Sequence, residues 1–527
     1  MFLTSYPLTL LQTLVLALIS YTTYRLYTHL RLASAHRHLA ASKGCKSPPN
    51  WRQSPFLFGL DIFYNSYKDM KAHCSLENTR TRFWALGANT VQMKLTGATL
   101  FSTIEPENVK SVRATDFKNW GLGEGRKLML VPFIGEGIFT SDGAAWQHSR
   151  DMLRPSFVRN SVGDCDIFER HVQNLIKAIP RDGEMVDLQP LFLSLSLDVA
   201  TEFLFGESTN SLSADDVDAE TKEYARAIDH ILKVLGGQEQ GGLTFIGLMM
   251  GLFPPNWTLK GEYKVVHNYV DGFIDRAVVD KRRYELEKVI LDDKPELPGR
   301  RYIFLHELLD RTTDRLKIRS ELLNILLAGR DSTAALLSNM WFELSKRPAA
   351  WARLQQEVSA LDGALPTFGQ LKEMKYLRAF LNESLRLYPI LPENNRTAQV
   401  DTVLPLGGGA DGKSPILVKK GQIVLWSIHI MHRRKDIYGE DAEEFRPERW
   451  LDTEQGQGLR VGWEYLPFNG GPRICIGQQF ALTEASYVTV RLMQEFNAIE
   501  SKDPEPWREM FTVTCQGLGG CKIVLTP

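Results

Sequence analysis

The sequence predicts a mainly α-helical body with a minor β part, carried behind an N-terminal transmembrane helix. Three observations predict it. The first 24 residues hold no charged side chain and Leu8 to Tyr24 is predominantly apolar, near the minimum of roughly 17 residues for a spanning helix. From about residue 161 to 346 apolar residues recur at helical spacing, with breaks at Pro180, Gly206, Gly236-Gly237 and Pro254-Pro255. Alternating apolar and polar runs bounded by turn residues are short and lie outside that stretch, around residues 90–104 and again beyond residue 410.

Composition supports a large folded core and excludes several partners. The chain has 527 residues, 43% of them hydrophobic, which is enough for one large domain and too apolar for disorder. Lys and Arg number 62 against 63 Asp and Glu, so no long-range field draws a nucleic acid. Six cysteines without a CxxC spacing argue against zinc and against a disulfide framework, and point to a reducing compartment.

Taken in order, residues 1–24 read as a retained membrane anchor. No basic residue precedes the apolar run and no small-residue cleavage site follows it. Arg25, Arg31, Arg37, Lys43, Lys46 and Arg52 come before the first acidic residue, Asp61, which places the body on the cytoplasmic side. Residues 25–50 read as a basic linker stiffened at Pro48-Pro49, and residues 51–527 as the body. Thr90 to Ile104 predicts a hairpin around Gly97, and Ile318 to Lys346 the longest buried helix, ended by Pro348. Helices are expected around Gly369 to Leu387 and Ile476 to Phe496, and strands at Ser414 to Lys419 and Gln422 to Trp426. A last hairpin is expected to pair Phe511 to Cys515 with Cys521 to Leu525 across Gly517 to Gly520.

Chemistry concentrates in Phe468-Asn469-Gly470-Gly471-Pro472-Arg473-Ile474-Cys475-Ile476-Gly477, a glycine-rich loop that delivers a cysteine to the start of an apolar helix. A helix N-terminus and a nearby cation such as Arg473 lower a thiol's pKa, and glycines let backbone approach a flat ligand. By itself the loop also suits a buried, inert cysteine. The segment resembles the haem-binding signature FxxGxRxCxG of the cytochromes P-450 at Phe468, Gly471, Arg473, Cys475 and Gly477. The resemblance implies a cytochrome P-450 fold and haem b with Cys475 as its axial metal ligand.

Further matches follow in the family's order. Glu383 and Arg386 resemble the ExxR helix and Arg449 completes a triad, which implies a structural ion network. Trp146 and Arg150 resemble WxxxR, and with Arg396 and Arg473 they are candidates for holding the haem propionates. Ala328-Gly329-Arg330-Asp331-Ser332-Thr333 interrupts an apolar helix with polar groups and resembles the oxygen-binding (A/G)GxDTT motif. Asp331 and Ser332 would deliver protons, with Ser332 in place of the usual threonine and Thr333 as a substitute donor.

Gly44-Cys45, the run Gly135 to Thr140, and Ala-Gly-Arg-Asp resemble fungal alkane and fatty-acid hydroxylases, which implies a long-chain aliphatic or fatty-acid-like substrate. Oxidative tailoring of a fungal polyketide or terpenoid by the same chemistry is the alternative, and an isomerase or dehydratase of the same fold a further one. Leu128, Val131, Phe133, Phe139, Ile325, Ile390, Leu391 and Leu518 are the candidate pocket, and equally suit ordinary core packing. No GxGxxG turn binds a dinucleotide in this chain, so electrons come from outside it, and the resemblance implies an NADPH-dependent partner reductase. Cytochrome b5 is an alternative electron donor. Arg433-Arg434-Lys435 is a candidate docking cluster. A single span with a cytoplasmic body implies the endoplasmic reticulum membrane, where the sequons at Asn256, Asn382 and Asn395 stay unused.

Overall fold

The computed structural model describes residues 10–54, 56–57, 59–95, 97–157, 165–213, 217–237, 258–290, 303–452 and 456–527. Residues 1–9 of the expected anchor, the Pro254-Pro255 break and Asn256 lie outside them. The N-terminal helix runs from Leu10 to Ser42 without interruption. Within the expected linker, residues 25–42 continue that helix and only the stretch from Lys43 to Asn50 is not helical. Leu26, Leu30, Leu32, Ala33, Ala35, Ala40 and Ala41 are good helix formers, and so are Arg25, Arg31 and Arg37 in the same stretch. Gly44 ends the helix at φ +66°. The Cys45 N–H donates to Ala40 O at 2.8 Å and the Gly44 N–H to Ala41 O at 3.2 Å, the paired bonds of a Schellman stop.

The centre of the body is the helix Arg315–Ser345. Asp314 caps it by accepting from the N–H groups of Leu316 and Lys317 at 3.0 and 3.1 Å. It packs along the helix Leu188–Phe205 and against Gln478–Glu495 and Lys375–Leu387. Among the described residues Leu188–Phe205 is the one helix long and apolar enough to cross a membrane, and 78% of it is buried inside the body. It is therefore a core helix. Between Glu321 and Ser345 the central helix is buried except at Leu327, Ala328, Gly329 and Ser332. That opening coincides with the polar interruption in the sequence.

Strands β1 (Thr90–Leu95) and β2 (Ala98–Thr103) form the expected hairpin, with Gly97 at φ +88°. They join β3 (Trp120–Gly121), β5 (Glu393–Ala398) and β8 (Ile423–Ser427) in the order β1-β2-β8-β5-β3, and β2 and β8 run parallel. Short strands β4 (Val186–Asp187), β6 (Thr402–Gly408), β7 (Ser414–Val418), β9 (Ala498–Ser501), β10 (Glu509–Phe511), β11 (Cys515–Gly517) and β12 (Lys522–Thr526) complete the β part. The end of the chain corrects the expected hairpin. β10 pairs with β11, while β12 pairs with β9 and β4. The Asp187 carboxylate accepts from the Cys521 N–H at 2.8 Å and sits where a side chain on Gly520 would be. Gly517 to Gly520 thus passes the chain from one sheet to another.

Glu383, Arg386 and Arg449 form the predicted network. The Arg386 guanidinium donates to both Glu383 oxygens at 2.9 and 2.8 Å. Arg449 Nε, the Arg446 N–H and Trp450 Nε1 donate to the same carboxylate at 2.9, 2.8 and 2.9 Å. Both of the ExxR side chains are fully buried. Burial pushes the Glu383 carboxyl up, but the hydrogen bond and charge of Arg386, then Arg449, outweigh it and hold the group below the usual carboxylate range. Glu383→Ala strands two buried guanidiniums, and is expected to cost about 3–5 kcal/mol in urea unfolding. Because the folded-state pKa is depressed, the ionised network stabilises the fold above the ordinary carboxylate pKa. That contribution is lost as pH falls through the lower folded value. An acid-unfolding titration in which Glu383→Gln loses this acid-side dependence checks the sign.

Candidate functional site

The Gly-rich loop closes on itself before it reaches the cysteine. The Cys475 N–H donates to Phe468 O at 3.0 Å, and the following helix starts at Gln478. Gly471 sits at φ +69°, and a Cβ there would lie 2.0 Å from Arg113 O. Its need for glycine is therefore both conformational and steric. Gly477 has an ordinary negative φ, and a Cβ there would meet Phe157 at 3.6 Å. Cys475 is exposed in area while its surroundings desolvate it. Burial pushes the thiol up, and the Gly477 N–H and then Arg150 pull it back. This corrects the expectation for Arg473. That side chain donates to Asp142 Oδ1 and Ser141 O, both at 2.8 Å, and lies 4.5 Å over the Trp146 ring.

Trp146 and Arg150 share one face of the helix Gly143–Leu153, and Arg150 donates to Ile474 O at 3.1 Å, beside the cysteine. Arg396 in β5 is buried and reaches Asn394 Oδ1 at 3.2 Å and Asn395 O at 2.6 Å. Two further guanidiniums, unmarked by any motif, complete the group. Arg126 donates to Asn394 Oδ1 at 2.9 Å. Arg113 rises from a π-turn at Ser111–Thr115 and donates to Arg473 O at 3.0 Å. Burial and then mutual repulsion lower these groups: Arg113 to about 9, with Arg473, Arg126 and Arg150 adding to burial, and Arg396 well below its usual value, with Arg113, Arg126 and Arg473 adding. Burial takes Arg473 to about 10, although Asp142 partly offsets it. Arg113 Nε and Nη1 and Trp146 Nε1 have no hydrogen-bond partner. Two buried and three half-buried guanidiniums with idle donors around one carboxylate suit a bound anion.

On the central helix the Ser332 hydroxyl donates to Ala328 O at 2.6 Å, at the open stretch. Asp331 is buried against Arg330 at 3.1 Å, and Arg330 reaches Asp229 at 2.5 Å. Burial raises the Asp331 carboxyl, Arg330 opposes and Asp229 adds to the rise. Thr333 departs from its expected part as a substitute donor. It is buried on another side of the helix, with its hydroxyl on Glu484, whose carboxyl burial pushes up to about 8. A Cβ on Gly329 would only touch Ala200 at 3.8 Å, so packing does not demand glycine there.

The pocket candidates divide. Phe133 lines a narrow apolar cleft with Ile228, Leu232, Leu323, Leu326 and Leu327 that ends on Arg330 and Asp331. Ile325 and Ile390 are buried, Val131 and Leu518 half-buried, and Leu128, Phe139 and Leu391 exposed. Ile228 and Leu232 carried no signal beyond helical periodicity. The proposed docking cluster is corrected: Arg433 is buried on Glu443, Arg434 pairs with Glu105 and Asp436, and Lys435 with Glu440. Those ion pairs leave no surplus charge for a partner. A cavity of about 690 Å³ lies along Phe468, Asn469, Ile474 and Gln478 and is flanked by Lys372 and Arg378.

A glycine-rich cysteine loop beside a group of arginines, together with a helix opened at one polar turn, suits a thiolate site for a flat, acidic prosthetic group. The family model for cytochrome P-450 matches residues 56–518, and the chain belongs to that family. It is similar to the cytochrome P-450 monooxygenase himC of Aspergillus japonicus, 41% identical over 93% of this chain and 85% of the relative. It is also similar to the cytochrome P-450 monooxygenase fsdH of Fusarium heterosporum, 39% identical over 94% of this chain and 86% of the relative. Cytochrome P-450 52A5 of Candida maltosa is 44% identical over 80% of both chains. The protein is thus a monooxygenase, and its family implies haem held by a cysteine thiolate, with O2 as oxidant.

The residues present fit that group. Arg113, Trp146 and the neighbouring arginines would hold its propionates, and Cys475 would supply the thiolate. Replacing Arg113 with Met is expected to speed haem loss about tenfold, the worth of one charge-assisted hydrogen bond, with Arg113→Lys intermediate. Haem transfer to an excess of a haem-free globin measures the rate.

Proposed function

We propose that this enzyme inserts one oxygen atom from O2 into a C–H bond of a hydrophobic, long-chain aliphatic or fatty-acid-like substrate, with electrons from an NADPH-dependent reductase. One observation carries the reading: Arg150 donates to Ile474 O beside Cys475, and Arg113, Arg126, Arg396 and Arg473 gather close enough to lower one another's proton affinity. When bound, haem b ligated by Cys475 supplies the oxygen-activating and C–H-oxidising chemistry. The chain's own residues orient it and control protons. Arg150, Arg396 and Arg473, with Trp146, hold the propionates, helped by Arg113 and Arg126. Phe468, Gly471 and Gly477 shape the loop that aims Sγ inward.

Ser332 Oγ keeps its proton on Ala328 O and can turn it toward the opening at Leu327 to Gly329. Asp331, held by Arg330, resupplies it. The apolar side chains of the cleft and of Phe139, Leu391 and Leu128 favour an aliphatic guest at about 0.8 kcal/mol per buried methylene.

Electrons reach the site from outside the chain, from the reductase or from cytochrome b5. The groove flanked by Lys372 and Arg378 follows the outer side of the cysteine loop and suits an acidic partner. The N-terminal helix supports a membrane anchor, because Leu14, Leu16, Leu18, Ile19, Tyr21 and Leu26 each remain about half exposed or more. With basic residues following the apolar run, the body lies on the cytoplasmic side of the endoplasmic reticulum membrane.

The test is to supply the purified haem-loaded chain with reductase, NADPH and long-chain alkanes and fatty acids, and to identify products by mass spectrometry. Singly oxygenated products labelled from 18O2 are expected, and their absence overturns the reading. Ser332→Ala is expected to lower product formed per NADPH consumed several-fold while haem content stays unchanged. An unchanged ratio removes Ser332 from proton delivery.

A further inference from the structure

One guanidinium, that of Arg330, is divided between carboxylates on two different helices. Its Nη1 donates to Asp331 Oδ1 at 3.1 Å, and its Nη2 donates to Asp229 Oδ1 at 2.5 Å. Asp331 follows it on the central helix, whereas Asp229 comes from the helix Ala219–Leu235. Arg330 and Asp331 are buried and Asp229 is half exposed. No sequence motif marks Asp229.

The division matters because of guanidinium geometry. An arginine holds a carboxylate best when two of its N–H groups lie parallel on the two oxygens, and a carboxylate so held stays ionised. Asp229 occupies Nη2 and Nε has no hydrogen-bond partner, so Asp331 receives one bond in place of two. Burial raises the Asp331 carboxyl, Arg330 opposes it, and the charge of Asp229 adds to the rise. The turn between β10 and β11 contributes the Thr512 hydroxyl, a neutral partner. Tyr224, on the helix of Asp229, faces Arg330 and stays neutral, because burial pushes its hydroxyl up.

The other elements packed around the central helix spend their charges elsewhere. In Leu188–Phe205, Asp198 is bonded to Thr209 and Ser211, and Glu202 to Arg170 and His171. In Lys260–Ile290, Asp271 and Asp275 pair with Arg319 and Arg315. Glu484 is taken by Ser196 and Thr333. Asp229 is also well placed to act on the site. Ile228 and Leu232, its neighbours on the same helix, line the apolar cleft opposite Leu323, Leu326 and Leu327. The Asp229–Arg330 pair thus ties one wall of the cleft to the helix that carries Asp331 and Ser332.

We propose that Asp229 is a positioning residue for proton delivery: by taking one arm of Arg330 it leaves Asp331 able to hold the proton that it passes to Ser332. The inference rests on the reading above in which Asp331 resupplies Ser332. In that step the Ser332 hydroxyl gives its proton toward the opening and a proton moves from Asp331 to Ser332 Oγ. The Asp331 carboxylate left behind is balanced by Arg330 until water protonates it again. Held by an undivided guanidinium, Asp331 would stay ionised and have no proton to pass.

The experiment is an infrared titration of the haem-loaded full chain for the parent, Asp229→Asn and Asp229→Glu. The carbonyl band of protonated Asp331 is identified by its loss in Asp331→Asn, and the carbon-monoxide difference spectrum establishes that each variant keeps thiolate-ligated haem. In Asp229→Asn the midpoint at which the band disappears should fall by about one pH unit, a tenfold loss of proton affinity. Asp229→Glu should restore the parental midpoint. With palmitic acid, reductase and NADPH, product formed per NADPH consumed should decline with rising pH about one pH unit earlier in Asp229→Asn than in the parent. The inference is overturned if the band has the same midpoint in Asp229→Asn and the parent, or if the parent shows no such band above the usual carboxylate range. A product ratio lowered equally at every pH also overturns it, since a merely structural contact acts that way. Failure of the underlying reading looks different: the band shifts, yet Asp331→Asn forms as much product per NADPH as the parent. That result overturns proton delivery by Asp331 while supporting the hold of Asp229 on its charge.

Discussion

The Glu383 carboxylate is the constraint on which the rest of the site depends. It takes hydrogen bonds from Arg386, Arg449, the Arg446 N–H and the Trp450 indole, and so fastens the helix beside the central helix to the segment that leads to the cysteine loop. Neighbouring contacts extend the clamp. The Tyr465 hydroxyl donates to Asn382 O at 3.0 Å, and the Leu466 N–H donates to His432 Nε2 at 3.0 Å. Burial pushes the His432 imidazole down to about 3 and the Arg386 backbone oxygen partly opposes it, so it is a neutral acceptor at physiological pH. Phe468 O, which receives the Cys475 N–H, follows two residues after Leu466. The position of the sulfur is thus set by a chain of directional bonds running back to one ion network.

Around that sulfur the protein accumulates positive charge at its own expense. Each buried guanidinium lowers the others' proton affinity, and Arg113 is left with two idle donors. A folded chain keeps such an arrangement when a bound anion offsets the repulsion. Stability and cofactor retention are therefore linked through the same side chains. The open turn of the central helix opposes this cationic ring with a different economy: one hydroxyl bonded within its own helix, and one carboxyl held by an adjacent arginine.

Much of this was legible in the sequence, where local chemistry and long-range packing ask for the same residues. The cysteine loop, the ExxR helix, the Trp146 and Arg150 pair and the opened helix each stand on contiguous residues with a fixed spacing. Arg113 and Arg126 were not legible, because an arginine in a segment of mixed polarity reads as a surface charge until the fold turns it inward. Arg433 shows the converse: a basic run that looked solvated holds one fully engaged, buried member. The last hairpin was misread because Gly517 to Gly520 has turn composition, while Asp187, more than 300 residues earlier in the chain, decides where the strand after it pairs.

That uninterrupted N-terminal helix has a mechanical consequence. Its 33 residues span about 50 Å at 1.5 Å per residue, well beyond the roughly 30 Å of a hydrocarbon layer. Its base is seated on the body: His36 bonds Asp401 at 3.0 Å, and the Lys46 N–H reaches Pro415 O at 2.8 Å. A flexible tether would let the body tumble beside whatever surface the apolar half enters. A rod gripped at its foot works instead as an outrigger, fixing the direction in which the apolar half projects from the body.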